Sequence, residues 1–258
     1  MSTLRQLLDR SLGKFQLLLL DARRLPFGYS ISGDLQLAGF QREQPLTVLD
    51  VGANRGDFTI QMAYDWPKAQ IWVFEPSPAT FVALQHRLED LPERLRRRLH
   101  AEPIALGAPD QAGQLPLHHF GLDTLSSLHA STPYTASHGL TPQSSSEVTC
   151  QTGADFCARQ GLTTIDLLKI DTEGNDLQVL QGFHPLLLAG RIRAVLVEFN
   201  RIEAAQDADA SATQCTDLVA LARLLEPCGF ILFTVQTDYV EKERGLGVWN
   251  ALFVRRSS

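Results

Sequence analysis

Asp50 closes an apolar run, Val48–Val51, and leads into the turn Gly52-Ala53-Asn54-Arg55-Gly56. A second run, Ile71–Phe74, ends in Glu75, nineteen positions after Gly56. These residue types at this spacing suit a nucleoside ligand. A strand that turns tightly into a helix presents free backbone N–H groups at the helix start, and glycines let a ligand approach the backbone. An acid at the end of the next strand, about 20 residues past the loop, accepts hydrogen bonds from ribose hydroxyls. An acid beside the first loop suits a ligand with an amino group as well as a carboxylate. That combination points to S-adenosylmethionine more than to a dinucleotide. Each feature alone is compatible with a plain βα turn or a solvated acid; the pair favours the nucleoside.

The glycines are four apart, so the loop is not the GxGxxG of a dinucleotide fold, and no Gly-Lys-Ser/Thr of a phosphate loop follows. An oxidoreductase using a nicotinamide cofactor needs that missing middle glycine, where Asn54 and Arg55 stand.

Two more acids end later runs, Asp171 after Asp166–Ile170 and Glu198 in Ala194–Phe199. Four acids at one sheet edge repel one another unless they face a ligand, a metal or water. In a partly desolvated cluster a carboxylate's pKa rises towards that of a useful base. Asp171 and Glu173 are the candidates for that role, with His129 behind them. Glu173 reads equally as an acid bonding the first turn of the next helix, where negative charge is favoured. Asp171, Glu198 and Asn200 offer hard oxygen ligands for magnesium or calcium, which would acidify an acceptor hydroxyl. Glu198 and Asn200 equally suit substrate or each other.

Strands and helices alternate around these acids. Val48–Val51, Ile71–Phe74, about Leu99–Leu106, Asp166–Ile170 and Ala194–Phe199 read as strands. Helices are expected at about Asp57–Asp65, Ser77–Asp90 and Leu218–Leu225, and after Asp171, where Leu177, Leu180 and Phe183 keep helical spacing. Phe230–Val235 and Trp249–Val254 read as an antiparallel pair at a sheet edge. Such alternation implies an α/β fold with a mostly parallel sheet whose ligands bind beyond the carboxyl ends of the strands. Residues 120–148 break the rhythm with Ser, Thr, His, Pro and Gly, and read as a lid loop, with disorder an alternative over Thr141–Glu147. Residues 1–44 read as a helical extension and 45–258 as the main domain. Leu4–Leu20 is an amphipathic segment, suited to capping the domain or pairing two copies.

With 258 residues, 44% of them hydrophobic, the chain can bury a large core. A net charge of −6 argues against nucleic acid or anionic membrane as partner. No run of about 20 apolar residues is expected to span a membrane. The four cysteines lack CxxC or metal spacing and read as reduced thiols, which implies a cytoplasmic protein.

Several strings together resemble the FkbM family of S-adenosylmethionine-dependent methyltransferases. They are VLDVGANRGDFT (Val48–Thr59), VFEPSPATFVALQHRL (Val73–Leu88), IALG (Ile104–Gly107), TLSSL (Thr124–Leu128), DLLKIDTEGNDLQVLQG (Asp166–Gly182) and VLVEFN (Val195–Asn200). The resemblance runs from about Thr47 to Asn200, and KIDTEG is its specific part. It implies a Rossmann-like seven-stranded methyltransferase sheet with the last strand antiparallel. It also implies methyl transfer, usually to a hydroxyl of a small molecule, sugar or glycan. By the resemblance Asp50, Gly52, Ala53, Asn54 and Gly56 form the cofactor loop, with Asp50 near the methionine amino group. Glu75 would hold the ribose, Pro76 and Ser77 would shape the adenine side, and Ile104 and Ala105 would flank the adenine. Asp171 and Glu173 would stand beside the transferable methyl. Pro103 departs from the family's common small polar residue. A non-catalytic S-adenosylmethionine-binding module is the rival reading, although it has no use for KIDTEG.

Overall fold

Along the first strand, β1 (Leu46–Val51), successive side chains point to opposite faces. Leu46 and Val48 enter one buried cluster, and Leu49 and Val51 enter another. The same division holds along β2 (Ala69–Phe74), and in β8 (Ile165–Ile170) Leu167 enters the first cluster while Leu168 and Ile170 enter the second. Burial on both faces is what a parallel sheet between two helical layers requires. The computed structural model describes residues 30–121, 125–202 and 216–256.

One layer holds α1 (Ile31–Leu37), α2 (Asp57–Asp65), α3 (Pro78–Glu89) and α4 (Glu93–Arg96), which contribute Leu35, Met62, Leu84 and Leu95 to the first cluster. The other holds α6 (Gly153–Gln160), α7 (Asp176–Gly182), α8 (His184–Leu188) and α9 (Leu218–Leu225), which contribute Phe156, Leu180, Leu187 and Leu221. The sheet order is β3-β2-β1-β8-β9-β11-β10, with β3 at Leu99–Glu102, β9 at Ile192–Phe199, β10 at Phe230–Glu241 and β11 at Leu246–Arg255. β11 is antiparallel to both neighbours and the remaining pairs are parallel. This is the seven-stranded, mostly parallel sheet with a reversed last strand that the resemblance implies. The chain order turns back between β1 and β8, and a crevice opens beyond their carboxyl ends.

Three local expectations change. The run Leu99–Leu106 is two strands, because Pro103 has no N–H to continue the ladder. After it, β4 (Ala105–Leu106) leaves the main sheet to pair with β7 (Ser144–Gln151). Much of the segment expected as a loop is regular structure. β6 (Ser126–Ser127), α5 (Pro133–Ser137) and the start of β7 occupy it, and with β5 (Gly113–His119), just before it, the strands form a second sheet of order β4-β7-β5-β6. Thr141–Glu147 therefore holds the start of a strand and not disorder; Ser144 pairs with His119 and Glu147 with Pro116 through backbone bonds that hydroxyl-rich side chains do not announce. β11 lies inside the sheet between β9 and β10, leaving only β10 at that edge.

The amphipathic stretch Leu4–Leu20 lies outside the described residues. The extension's described end is α1, where Asp34 Oδ2 accepts from Gln236 Nε2 (2.8 Å) and Thr234 Oγ1 (3.1 Å) on β10. Among the described residues no helix is long and apolar enough to cross a membrane.

Candidate active site

At the crevice a cavity of about 690 Å³, counting its open mouth, is walled by Gly52 and Asn54 after β1 and by Glu75 and Pro76 after β2. Phe74, Ile104, Ala105 and Leu106 supply an apolar wall, and Ser126–Leu128 close the far side. Asp171, Thr172, Glu173 and Asn175 after β8 complete it. The volume and the mixture of apolar wall and few polar groups suit a small-molecule site.

The glycine turn works differently from a phosphate-type loop. The N–H groups of Gly52 and Ala53 both donate to Phe74 O, at 3.0 and 2.9 Å. The Asn54 N–H donates to Glu75 Oε2 at 2.9 Å, and the Ser77 N–H to Glu75 Oε1 at 2.9 Å. The loop thus spends its N–H groups on the protein and aims Glu75 into the cavity. Burial pushes the Glu75 carboxyl up to about 6, opposed by these two N–H groups and Lys169. Asn54 holds a left-handed backbone, φ 51°, and its Oδ1 is buried with no hydrogen-bond partner among the described residues. An orphaned acceptor on a cavity wall is matched by a ligand donor. Gly52, at φ 76°, lies so close to the β8 loop that a Cβ would sit 1.8 Å from Asp171 O.

Asp50 does not line this cavity. Its position puts it on the face of Leu46 and Val48, beneath α2, fully buried. Thr59 Oγ1 donates to Asp50 Oδ2 at 2.6 Å, and Lys169 Nζ lies 3.1 Å from Oδ1. Lys169 Nζ also lies 3.3 Å from Asp171 Oδ2 and donates to Gly52 O at 3.2 Å. Burial works against the charge of Lys169, but Asp171 and Asp50 outweigh it and hold the ammonium protonated.

The segment after β8 divides its polar residues between structure and cavity. Asp176 Oδ1 accepts from Thr172 N–H and Oγ1, each at 2.9 Å, and Oδ2 from Thr216 Oγ1 at 2.8 Å. The acid that orders the helix start is therefore Asp176, and the Glu173 side chain is left on the cavity wall. Glu173 has φ 53°, and its carbonyl accepts from Ser127 Oγ at 2.8 Å. Non-glycine residues held in this region concentrate at functional sites. Burial first, then the charges of Asp171 and Asp176, pushes the Glu173 carboxyl up to about 8. His129 lines neither cavity; its Nε2 is 3.2 Å from Asn175 Oδ1, and burial lowers its pKa. Asn175 in turn exchanges amide bonds with Gln111 at 2.9 and 3.3 Å.

A second cavity adjoins the first. Its walls are Tyr134 of α5, Glu198 and Asn200 at the end of β9, Asp238 and Tyr239 of β10, and again Asp171 and Glu173. Burial and the charges of Asp171 and Glu173 raise the Glu198 carboxyl well above the usual range. Among the described residues no group of three His, Cys, Asp or Glu side chains is placed to hold a metal ion, so the arrangement of Asp171, Glu198 and Asn200 lends the magnesium or calcium reading no support.

The family model for the methyltransferase FkbM domain matches residues 50–232. The chain belongs to the FkbM methyltransferase family. Methyltransferase sdnD of Sordaria araneosa is 31% identical over 157 residues, 52% of this chain and 59% of its own length. The chain thus spans 59% of the curated relative it matches. Among solved structures it is similar to the methyltransferase FkbM from Methylobacillus flagellatus KT, at 14% identity and TM-score 0.49, over 94% of this chain and 59% of that one. It is also similar to M. capricolum TrmK, solved with S-adenosyl-homocysteine, at 9% identity and TM-score 0.44, over 89% of this chain and 70% of that one.

In this FkbM-family chain Gly52, Asn54, Glu75, Pro76, Ala105 and Asp171, six of the residues singled out in the sequence, line the first cavity. Asp50, Ala53, Gly56 and Ser77 stand behind it: Ala53 packs in the core, Gly56 starts α2, and Ser77 aligns Glu75. Sequence reasoning missed Asn175, Lys169, Tyr134, Asp238 and Tyr239. The Asp50–Lys169 pair was detectable, since both stand at the ends of adjacent parallel strands. Asp238 and Tyr239 carried no signal, because they lie on the part of β10 beyond its apolar run.

Proposed function

We propose that this chain is an S-adenosylmethionine-dependent O-methyltransferase, with cofactor in the first cavity and acceptor in the second. The observation that carries this reading is that the two cavities share Asp171 and Glu173 as a common wall. Two reactants in adjoining pockets are held for an effectively unimolecular reaction. The first cavity's donor and acceptor set fits the cofactor. Glu75 receives the ribose hydroxyls, the orphaned Asn54 Oδ1 accepts from the amino group, and Phe74 with Ile104–Leu106 covers the adenine. When bound, S-adenosylmethionine supplies an electrophilic methyl group. Glu173, in its ionised form, takes the proton of the acceptor hydroxyl, and its raised pKa makes it a stronger base than an ordinary carboxylate. Asp171, tied to Lys169, shapes the passage between the cavities.

The acceptor class is a hydroxyl of a sugar, glycan or secondary metabolite, in keeping with the polar lining of the second cavity. The described cysteines Cys150, Cys157 and Cys228 are buried free thiols, which fits a cytoplasmic site of action.

Calorimetric titration with S-adenosylhomocysteine tests the cofactor. Micromolar binding, about −8 kcal/mol, is expected, weakened in Glu75→Ala. No binding overturns the reading. Asp171→Ala and Glu173→Ala separate an enzyme from a binding module: an enzyme keeps its fold and loses turnover, whereas a pure binder changes only in affinity.

A further inference from the structure

Resting on that assignment of the second cavity, we infer that the acceptor is an amine-bearing polyol of the amino-sugar class, bound as a cation, and that Asp238, Tyr134 and Tyr239 select it. The first argument is charge. Asp171, Glu173, Glu198 and Asp238 line the cavity from three elements, and no Lys, Arg or His is among its described lining residues. Among the described residues three nearby cations face acids of their own. Lys169 Nζ stands between Asp50 and Asp171, while His138 and Arg244 face Glu241 at 3.2 and 3.7 Å. An acceptor carrying phosphate, sulfate or carboxylate would meet uncompensated like charge, which rejects it. A neutral polyol could exchange hydrogen bonds with these carboxyls but supplies no positive charge to favour their ionised forms.

The second argument does not depend on charge. Tyr134 and Tyr239 meet edge to face, 6.5 Å between centroids, and both line the cavity that carries the acids. Phenol faces beside carboxylates attract ammonium groups. Asn200 Oδ1 on the same wall is buried without a hydrogen-bond partner among the described residues, an acceptor matched by an N–H or O–H of the ligand. Tyr134 is further fixed by stacking on His138 at 4.2 Å, so the ring is positioned before the ligand arrives.

The titration of the wall agrees. Burial raises the carboxyls of Glu173, Glu198 and Asp238, and in each case Asp171 raises them further. Asp176 adds to this for Glu173 and Glu198, and Lys169 opposes it for Glu173 and Asp238. A bound cation favours the ionised carboxylates, so its binding releases protons to solvent near neutral pH.

The test uses the full chain saturated with S-adenosylhomocysteine and titrated with glucosamine, glucose and glucuronate. Glucosamine is expected to bind about tenfold or more tightly than glucose. Its binding should release protons, read as a heat that varies with the buffer's ionisation enthalpy. Glucuronate should not bind. Asp238→Asn should remove the preference for glucosamine while melting like the parent and binding S-adenosylhomocysteine unchanged. Equal affinity for glucose, a preference for glucuronate, or binding of none of the three overturns the amine assignment and leaves the methyltransferase reading standing. Failure to bind S-adenosylhomocysteine overturns both.

Discussion

Lys169 stands opposite Asp50 in the β1–β8 register, and its Nζ lies 3.1 Å from the Asp50 carboxylate and 3.3 Å from that of Asp171. One buried ammonium therefore joins the core beneath the glycine turn to the wall between the two cavities. Lys169→Met removes the partner and leaves Asp50 buried with only the Thr59 hydroxyl. Breaking a buried ion pair on one side costs about 3–5 kcal/mol. That loss should appear as a lower urea midpoint. Asp50→Leu combined with Lys169→Met should recover most of it, because no lone charge then remains.

Glu75 is held by the N–H groups of Asn54 and Ser77 and presents its remaining lone pairs to the cavity. Glu75→Gln keeps the shape but loses a charged acceptor and misplaces an NH₂ among donors. S-adenosylhomocysteine affinity should fall about 10- to 100-fold, 1.4–3 kcal/mol at the strength of hydrogen bonds to charged groups. Calorimetry checks this, and a far-ultraviolet spectrum like the parent's confirms the fold.

Glu173 should give turnover a pH dependence. With its carboxyl pushed up to about 8, the base form grows as pH rises through that value, and kcat/KM should climb to a plateau above it. Glu173→Gln should lower turnover about 10²–10⁴-fold and remove the climb. Stability runs the other way. The folded chain binds this proton more tightly than the unfolded chain, so stability present below pH 4.5 is lost as pH rises towards about 8. Melting temperatures across that window should fall less in Glu173→Gln than in the parent.

His129 lines neither cavity, and its Nε2 lies 3.2 Å from Asn175 Oδ1, which under the proposed function makes it a positioning residue. His129→Ala should reduce turnover modestly, about tenfold or less, and leave the midpoint of the pH profile where Glu173 sets it. A profile whose midpoint moves with His129→Ala would make His129 the base instead.

The sheet was legible because both faces of its strands are buried. That produces apolar runs at Val48–Val51, Ile71–Phe74 and Ala194–Phe199 which local pattern reading detects. Asn54, Glu75, Asp171 and Glu173 were legible because strand ends in a parallel sheet converge wherever the strands sit. The glycines at the turn were legible for their number but not for their purpose, which is the approach of Gly52 to Asp171 O.

What the tertiary structure decided is which acids face a cavity and which face the core. Asp50 and Glu75 both follow apolar runs, yet strand alternation and the Lys169 opposite send Asp50 inward, while the Asn54 and Ser77 N–H groups turn Glu75 outward. The second cavity exists only because β10 continues past its apolar run to bring Asp238 and Tyr239 against Tyr134 and Glu198. Local sequence sets propensity and spacing over a few residues. Contacts between residues a hundred positions apart depend on strand order and register, and these are set by the packing of the whole sheet.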